Sequence, residues 1–279
     1  MIIVLLAVFG LIFGSFVNAL VWRIHEQEAL HEKKKKPTKK QLAELSILRG
    51  RSMCTHCHHE LAGKDLVPLF SWLWLQGKCR YCGAPIGWQY PVVEAVTAGL
   101  FVASYIWWPD QLTGIAVQQF VVWLGFVTMF VALAVYDLRW YLLPNRIVYP
   151  LNIIAVIEVL IVALNKHNLG ALWEPLAGAL IISGLFYLLF QLSAGKWIGG
   201  GDVKLAITLG LWAGTPLKAC LVLFFASLIG TVVSVPIALR AKQGLKLRVP
   251  FGPFLLAATF LTVLFGTGVI NWYIDRLLG

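Results

Sequence analysis

The sequence predicts an all-α polytopic membrane protein with about eight transmembrane segments and one small loop domain. Hydrophobic residues make up 59% of the 279 residues and charged residues only 13%, whereas about 25% of residues are charged in soluble domains. The mean hydropathy is +0.78. Long apolar runs recur along the chain, and four cysteines stand as two Cys-x-x-Cys pairs in its one extended polar stretch.

Eight apolar runs account for the predicted membrane segments. The first has 21 residues without a charge, which suits a hydrocarbon core of about 30 Å. It has no basic leading region and no obvious small-residue cleavage site, so it is interpreted as an anchor. The run 203–212 is the shortest of the eight. It is too short to span unaided and is predicted either to be a half-helix or to continue through Thr215-Pro216. The runs are 2–22, 92–107, 120–136, 147–164, 176–192, 203–212, 219–239 and 254–272.

The formal net charge of +10 is distributed in a way that predicts topology. If the runs alternate, 20 of the 23 Lys and Arg residues fall on one side, and the positive-inside rule makes that side the cytoplasm. The loop over 24–90 and the acids Asp137 and Asp202 are then cytoplasmic. The basic residues lie between apolar runs and form no stripe on a soluble fold, so we expect anionic lipids as partners and no nucleic acid.

The cytoplasmic loop contains a charged arm and a cysteine-bearing segment. The arm, over 25–40, includes the lysine run at 33–36 and is interpreted as solvated and flexible, with a specific peptide or lipid site as the alternative. Two Cys-x-x-Cys pairs can present four thiolates to one tetrahedral zinc ion, and complete coordination makes such a zinc structural. Two disulfides are the alternative, which a reducing cytoplasm disfavours. His56, His58 and His59 are interpreted as neighbours of the metal or as solvated side chains, and not as ligands. The predicted ligands are Cys54, Cys57, Cys79 and Cys82.

Two aspartates lie at the ends of apolar runs. Asp137 follows 120–136, and Asp202 follows three glycines, Gly199 to Gly201. An ionisable group at a membrane boundary is costly and marks a functional site. The alternative is pairing with Arg139 or Lys204, but residues two apart on a helix do not share a face. Two carboxyl groups about 3 Å apart would share one proton, so that one activates water and the other donates to the scissile amide. The pattern thus predicts hydrolysis without a catalytic metal.

Two further acids lie inside the apolar runs. Glu94, beside the cysteine loop, is predicted to line a pocket shared by the loop and the membrane. Glu158 has no motif around it, and we expect it to be neutral or internally hydrogen-bonded.

Taken together, six stretches resemble those of type IV prepilin peptidases, in order and over almost the whole chain. They are Gly14-Ser15-Phe16-Val17-Asn18, the cysteine tetrad ending at Gly83, Tyr90-Pro91-Val92-Val93-Glu94, Asp137 with Leu143-Pro144-Asn145, Gly199 to Lys204, and Val249-Pro250-Phe251-Gly252-Pro253-Phe254. This resemblance is more specific than the Gly-x-Gly-Asp pattern of Gly199, Gly201 and Asp202 alone. Asn145 departs from it, since an aspartate is common there, and residues 33–40 lengthen the arm.

The resemblance implies a bifunctional enzyme of the bacterial inner membrane. Such enzymes cut the basic leader from type IV prepilins or type II secretion pseudopilins, then methylate the new α-amino group using S-adenosylmethionine. Residues matching Asp137 and Asp202 carry proteolysis in that family, and the cysteine loop accompanies methylation. Glu94 is a candidate contact for S-adenosylmethionine. The implied division is a first transmembrane helix over 1–23, a zinc loop over 24–90 and a peptidase domain over 91–279.

Three alternatives remain open from the sequence. A peptidase that has lost methylation would keep the zinc loop for structure or substrate docking. A transporter would also place acids near interrupted helices, but it predicts inverted repeats and acids near the midplane. A zinc-ribbon membrane adaptor would explain the cysteines and leave both aspartates unexplained.

Overall fold

The computed structural model describes residues 1–32, 38–47, 50–240 and 249–277. The lysine run at 33–36, predicted to be a flexible arm, lies outside these residues. The described helices are α1 (Ile2–Glu32), α2 (Lys39–Glu44), α3 (Phe70–Trp74), α4 (Gln89–Ile106), α5 (Ile115–Trp140), α6 (Asn145–Asn165), α7 (Trp173–Ser193), α8 (Gly200–Ala213), α9 (Pro216–Arg240) and α10 (Gly252–Leu277). The predicted all-α fold class is confirmed.

Six of these helices are long and apolar enough to cross a membrane: α1, α5, α6, α7, α9 and α10. The chain is therefore a multi-pass membrane protein. The predicted number of eight segments is not confirmed, because α4 and the 14-residue α8 do not belong to this set.

The chain divides into two compact units. The first comprises Met1–Ile106 and Val127–Ala132, and the second comprises Trp107–Phe126 and Leu133–Gly279. The four cysteines and Glu94 belong to the first unit, whereas Asp137, Asp202 and Glu158 belong to the second.

Helix α1 continues beyond the end that the sequence suggested. The predicted anchor ends at Trp22, and residues 25–32 belong to the predicted flexible arm, but these residues are helical. Arg23 is only 5% exposed, and its guanidinium donates hydrogen bonds to the carbonyl oxygens of Ile47 and Gly50. Gln27 donates to the carbonyl oxygen of Leu45 at 2.7 Å. The extension is thus stabilised by backbone acceptors that come from the following loop.

Small residues allow α1 and α4 to pack closely within the first unit. A Cβ atom at Gly10 would lie 2.5 Å from the Cα atom of Ala98, and one at Gly14 would lie 2.6 Å from the Cα atom of Glu94. Separations this short leave no room for a side chain. Helix association in a membrane depends on such close backbone approach, since apolar burial gives little preference over lipid.

In the second unit, α8 is held by its neighbours on two sides. A Cβ atom at Gly210 would lie 2.4 Å from the Cα atom of Ala179 on α7. On α6, Asn152 donates to the carbonyl oxygen of Lys204 and accepts from the hydroxyl of Thr208. A buried side-chain amide that is satisfied in this way fixes the register of two helices in the membrane.

The length of α8 settles the alternatives left by the sequence. The helix ends at Ala213, followed by Gly214 with φ +77° and by the start of α9 at Pro216. It does not continue through Thr215-Pro216. Its 14 residues correspond to about 21 Å, which is shorter than a hydrocarbon core of about 30 Å.

We expect Gly210→Ala to destabilise the protein by about 1–3 kcal/mol, because the added methyl group has no space against α7. Gly125→Ala is the matched control: Gly125 also lies inside a helix, but nothing lies within 4 Å of the position of its Cβ, so the better helix propensity of alanine should leave stability unchanged or higher. Thermal unfolding of the detergent-solubilised variants measures both. Equal melting temperatures for the two variants would contradict the packing argument.

Candidate active site and metal centre

Asp137 lies near the C-terminal end of α5 and is 5% exposed. Its Oδ2 atom accepts a hydrogen bond of 3.1 Å from the backbone N–H of Gly252, at the start of α10. A Cβ atom at residue 252 would lie 2.6 Å from that same oxygen. Only glycine at this position therefore lets the α10 backbone reach the carboxyl group without a displacement.

Asp202 lies in the first turn of α8 and is partly exposed. Its carboxyl group accepts a hydrogen bond from the backbone of Gly199, the residue that precedes the helix. The unpaired N–H groups and the dipole of a helix N-terminus favour a negative charge at this position. Both aspartates are thus held by the backbone of a glycine, although they come from different helices.

The structure brings the two aspartates into one neighbourhood, because Gly201, next to Asp202, and Gly252, whose N–H binds Asp137, both approach the same leucine. Leu143 fills the adjacent space. A Cβ atom at Gly201 would lie 3.0 Å from the Cβ atom of Leu143, and one at Gly252 would lie 3.6 Å from its Cδ2 atom. Gly201 and Gly252 therefore approach Leu143 from α8 and from α10.

The basic residues nearest in sequence have other contacts. Lys204 donates to Oδ1 of Asn145 at 3.1 Å and lies 5.3 Å from the ring centroid of Tyr149. Arg139 lies 4.9 Å from the ring centroid of Trp140. Within the described ranges, the ion pairs found involve neither aspartate. The alternative that each acid is neutralised by an adjacent base thus has no support in the described structure.

Gly252 and Leu143 were given no role by sequence reasoning. Both occur in stretches that carry the family resemblance, but their spacing from Asp137 and Asp202 says nothing about contact. Gly252 is 115 residues from Asp137, and only the packing of α10 beside α5 shows why a glycine is needed there.

The four predicted cysteine ligands meet at one point. Their Sγ atoms all lie within 4.8 Å of one another, and those of Cys54 and Cys82 are 3.9 Å apart. Tetrahedral zinc with Zn–S bonds of about 2.3 Å places its sulfur ligands about 3.8 Å apart. All four cysteines are free of disulfides. The residues therefore fit a structural zinc ion, and the described metal-binding group contains none of the three adjacent histidines.

The two halves of the cluster have the same backbone geometry. In the first half, Cys54 N–H donates to the carbonyl oxygen of His59, and in the second, Cys79 N–H donates to that of Ala84. His58 and Gly83 occupy equivalent positions with φ values of +55° and +70°. Each Cys-x-x-Cys pair is thus a knuckle closed by a left-handed residue, which turns both sulfurs towards the same side.

A buried carboxylate links the second knuckle to the rest of the cysteine-bearing segment, residues 51–88, which we call the loop module. Asp65 is 8% exposed and accepts hydrogen bonds from Arg80 at 2.6 Å and Tyr81 at 3.1 Å. Burial by itself raises the pKa of Asp65, but the hydrogen bonds from Arg80, Tyr81 and Ala62 outweigh it and lower the pKa overall. Its stabilising contribution is therefore present above the usual aspartate pKa and is lost as the pH falls through the lowered value.

Glu94 connects α4 to the loop module. It is 7% exposed, and its Oε2 atom accepts a hydrogen bond of 2.8 Å from the backbone N–H of Leu69. Ser15 on α1 also donates to this carboxyl group. Nearby, Asn18 donates to the carbonyl oxygen of Tyr90 at 3.1 Å. The two stretches 14–18 and 90–94, which both carry the family resemblance, are thus connected to each other by hydrogen bonds.

The chain combines several membrane-length helices, two neighbouring aspartates at helix ends and a four-cysteine cluster. These are the features expected of a membrane-embedded aspartic peptidase. The comparisons with known proteins make this class specific. Residues 8–108 match the model of the bacterial peptidase A24 N-terminal domain, and residues 124–235 match that of the type IV leader peptidase family.

Similar proteins extend over nearly the whole chain. The prepilin leader peptidase/N-methyltransferase of Aeromonas hydrophila is 31% identical over 98% of this chain and 94% of its own length. The protein of that name from Bacillus subtilis is 32% identical over 99% of both chains, and that from Dichelobacter nodosus is 30% identical over 94% and 91%. The chain belongs to the prepilin leader peptidase/N-methyltransferase family. No solved structure gives a significant match.

Family membership decides between the alternatives left by the sequence. It does not support a transporter or a non-catalytic adaptor, since the similar proteins are named as enzymes. The peptidase without methylation is not better supported, because the names of the similar proteins include both activities and this chain has the N-terminal domain with all four cysteines.

We expect about one zinc ion per chain in the purified protein, because four thiolates complete its coordination. Cys79→Ser should lose this zinc, and the loop module should become sensitive to limited proteolysis, since metal binding contributes folding free energy in small modules. Elemental analysis measures the metal. Cys220→Ser is the control, because Cys220 lies on α9 outside the cluster. Full zinc content in Cys79→Ser would contradict the assignment.

Proposed function

We propose that this protein cleaves the basic leader peptide from type IV prepilins or type II secretion pseudopilins and then methylates the newly exposed N-terminal residue. The observation that supports cleavage most directly is the pair of neighbouring aspartates, of which Asp137 is held by the backbone of the distant Gly252 and Asp202 by that of Gly199, just before its own helix. The names of the similar proteins support both activities.

In this proposal Asp137 and Asp202 are the catalytic pair. Two nearby carboxyl groups in a poorly hydrated site share a proton, so one is a base and the other an acid in the same state. The carboxylate takes a proton from a water molecule that attacks the scissile carbonyl carbon. The protonated partner donates its proton to the carbonyl oxygen. The first carboxyl group then gives the proton that it took from water to the amide nitrogen, and the partner takes a proton back from a hydroxyl of the tetrahedral intermediate, so that the C–N bond breaks and the pair returns to its starting state. The N–H of Gly252 occupies one lone pair of Asp137 Oδ2, which orients the other oxygen for the reaction.

Gly199 and Gly201 support the pair through the backbone. Gly199 contributes the hydrogen bond to Asp202, and Gly201 leaves room for Leu143 beside the acids. Because these glycines have no side chains, an extended substrate backbone can also come close to the carboxyl groups.

Methylation is assigned to the loop module and its joint with α4. S-adenosylmethionine supplies the methyl group that the free α-amine of the cleaved substrate accepts. Zinc at the four cysteines would hold the module folded. Glu94 fixes Leu69 at the edge of this module, so we place it as a positioning group there; its direct contact with the methyl donor stays a prediction.

The proposed location is the bacterial inner membrane, with the zinc loop and both aspartates on the cytoplasmic side. The excess of Lys and Arg in alternate loops supports this orientation. A cytoplasmic site would give a soluble methyl donor direct access. The basic loops would also contact anionic lipids. The proposed division of the chain keeps 1–23 as the first membrane helix, 24–90 as the zinc loop and 91–279 as the peptidase domain.

Asp137→Asn and Asp202→Asn should each reduce leader cleavage by about 10²–10⁴-fold, because neither amide can exchange a proton in the required step. The assay uses detergent-purified protein and a synthetic peptide with a basic leader, a Gly and a following Phe, with mass spectrometry of the products. Asp275→Asn is the control, since Asp275 is an exposed acid near the end of α10. Normal turnover by a folded Asp202→Asn protein would refute the catalytic pair.

The two activities should separate by region. Asp137→Asn should methylate a pre-cleaved pilin with a free N-terminal Phe at a rate near that of the wild type, because methyl transfer does not use the aspartates. Cys79→Ser should lose methylation first and retain part of its cleavage. Radiolabel transfer from S-adenosylmethionine measures methylation independently of cleavage. If a well-folded Asp137→Asn protein cannot methylate the pre-cleaved substrate, the two sites are not separable.

A further inference from the structure

The loop module has an apolar surface that nothing covers in the part of the chain that the structure describes. On α3, Phe70 is 67% exposed, Leu73 63% and Trp74 85%. Residues at positions i, i+3 and i+4 lie on the same side of a helix, so these three side chains form one patch, which we call the α3 face. A cluster of large exposed apolar side chains marks contact with a protein partner or with a membrane.

Another side of α3 is fixed to the second cysteine knuckle. Trp72 donates from its indole nitrogen to the carbonyl oxygen of Ile86 at 3.1 Å, and its ring centroid lies 4.3 Å from that of Trp88. A Cβ atom at Gly77 would lie 3.0 Å from the Trp72 ring. Because Trp72 is held in this way, the α3 face has a fixed direction relative to the loop module.

Helix α1 provides a scale for depth in the membrane. Its apolar run over 2–22 has 21 residues and is about 30 Å long, so a hydrocarbon core of about the same thickness needs the whole run. Gly14 lies eight residues before Trp22, which is about 12 Å inside the end of the run. The level of Gly14 is therefore within the hydrocarbon core.

Glu94 relates this level to the start of α3. A Cβ atom at Gly14 would lie 2.6 Å from the Cα atom of Glu94, so these two residues have a similar depth. The carboxyl group of Glu94 accepts a hydrogen bond of 2.8 Å from the N–H of Leu69, which immediately precedes α3. Four bonds of about 1.5 Å separate that oxygen from the Cα atom, so the Leu69 nitrogen is at most about 9 Å from this Cα atom. That distance is shorter than the 12 Å to the end of the apolar run, which places the start of α3 at the membrane boundary.

The backbone and the side chains of α3 both suit a membrane boundary. Donors in a poorly hydrated environment need internal acceptors. The N–H of Leu69 donates to Glu94, and those of Phe70 and Ser71 donate to the carbonyl oxygens of residues 68 and 67. Tryptophan is enriched at the interface between membrane and water, where its apolar ring and its polar N–H are both accommodated. Trp74 is the most exposed member of the α3 face.

We propose that the α3 face is immersed in the boundary between lipid headgroups and acyl chains, in the membrane that α1 crosses. Phe70, Leu73 and Trp74 contact the acyl chains there. The loop module then has two attachments, one to α4 through the hydrogen bond between Leu69 and Glu94 and one to the lipid itself. The lipid contact needs no specific headgroup, because the α3 face is apolar.

Fluorescence quenching of the full-length protein in lipid nanodiscs tests this proposal. The fluorescent amino acid Anap replaces Trp74 in one protein and Leu73 in a second, so that the second still tests the face if the first does not fold. The nanodiscs contain phosphatidylcholine with either brominated or unbrominated acyl chains. We expect the brominated chains to remove about half of the emission at both positions, because interfacial side chains reach about 5–10 Å into the boundary. Zinc content and proteolytic resistance equal to those of the wild type show that the loop module is folded.

Glu60 is the matched control position within the same module. Its carboxylate pairs with Arg51 at 3.0 Å, and both side chains are mostly exposed. Charged groups of this kind stay in water, because their transfer to an apolar environment is costly. Anap at position 60 should therefore keep its emission in brominated nanodiscs.

A charged substitution tests whether the apolar character of the face holds it in the lipid. Trp74→Asp, in the protein that carries Anap at position 73, should lose most of the quenching, because a carboxylate opposes immersion. Lys64→Asp is the control, since Lys64 is exposed and lies outside α3. It introduces the same side chain and should leave the quenching unchanged.

Three results would overturn the proposal: unquenched emission at both α3 positions, equal quenching at position 60, or unchanged quenching in a folded Trp74→Asp protein. Emission at the α3 positions that is shielded from water but not quenched by bromine belongs to the first case. It would show that a protein surface covers the face, from a second copy of this chain or from a bound segment. None of these measurements includes a prepilin substrate or a methyl donor, so the result is independent of the proposed function.

Discussion

The placement of two carboxyl groups at helix ends, next to glycine backbone, is the constraint on which the second unit depends. A buried carboxyl group needs hydrogen bonds to offset its lost hydration, and a membrane interior offers few donors. Here the donors are the N–H groups of Gly252 and Gly199, which precede or begin helices α10 and α8. The ends of three helices must therefore meet, and glycine is required where a backbone approaches an acid.

The same requirement explains the supporting contacts of α8. The position of Asp202 depends on the register of this helix, and that register is fixed by Gly210 against α7 and by Asn152 from α6. In a membrane, close backbone contact and side-chain amide bonds replace much of the apolar driving force that water provides. The short α8 is thus firmly held although it is too short to span the hydrocarbon core alone.

In the first unit, a buried carboxyl group likewise joins the loop module to helices α1 and α4. Glu94 on α4 accepts hydrogen bonds from Leu69 in the loop module and from Ser15 on α1, while Gly14 allows the two helices to approach. The loop module has its own organisation, with two equivalent cysteine knuckles and the ion pair between the buried Asp65 and the more exposed Arg80. A carboxyl group on a helix thereby fixes the edge of a module that is otherwise held by its metal ligands.

The sequence by itself determined the class of fold, the cysteine cluster and the acids that needed an explanation. The length of an apolar run, its hydropathy and the Cys-x-x-Cys spacing are local properties of the sequence. The motifs of the family resemblance are short, local patterns as well. Tertiary structure alone decided that Gly252 and Leu143 lie beside Asp137, that Arg23 is a buried donor, that α1 continues to Glu32, and that Glu158 accepts a hydrogen bond from Gln118. The reason is physical: each of these facts depends on contacts between residues far apart in the chain, and neither apolar periodicity nor residue spacing records which helix ends meet.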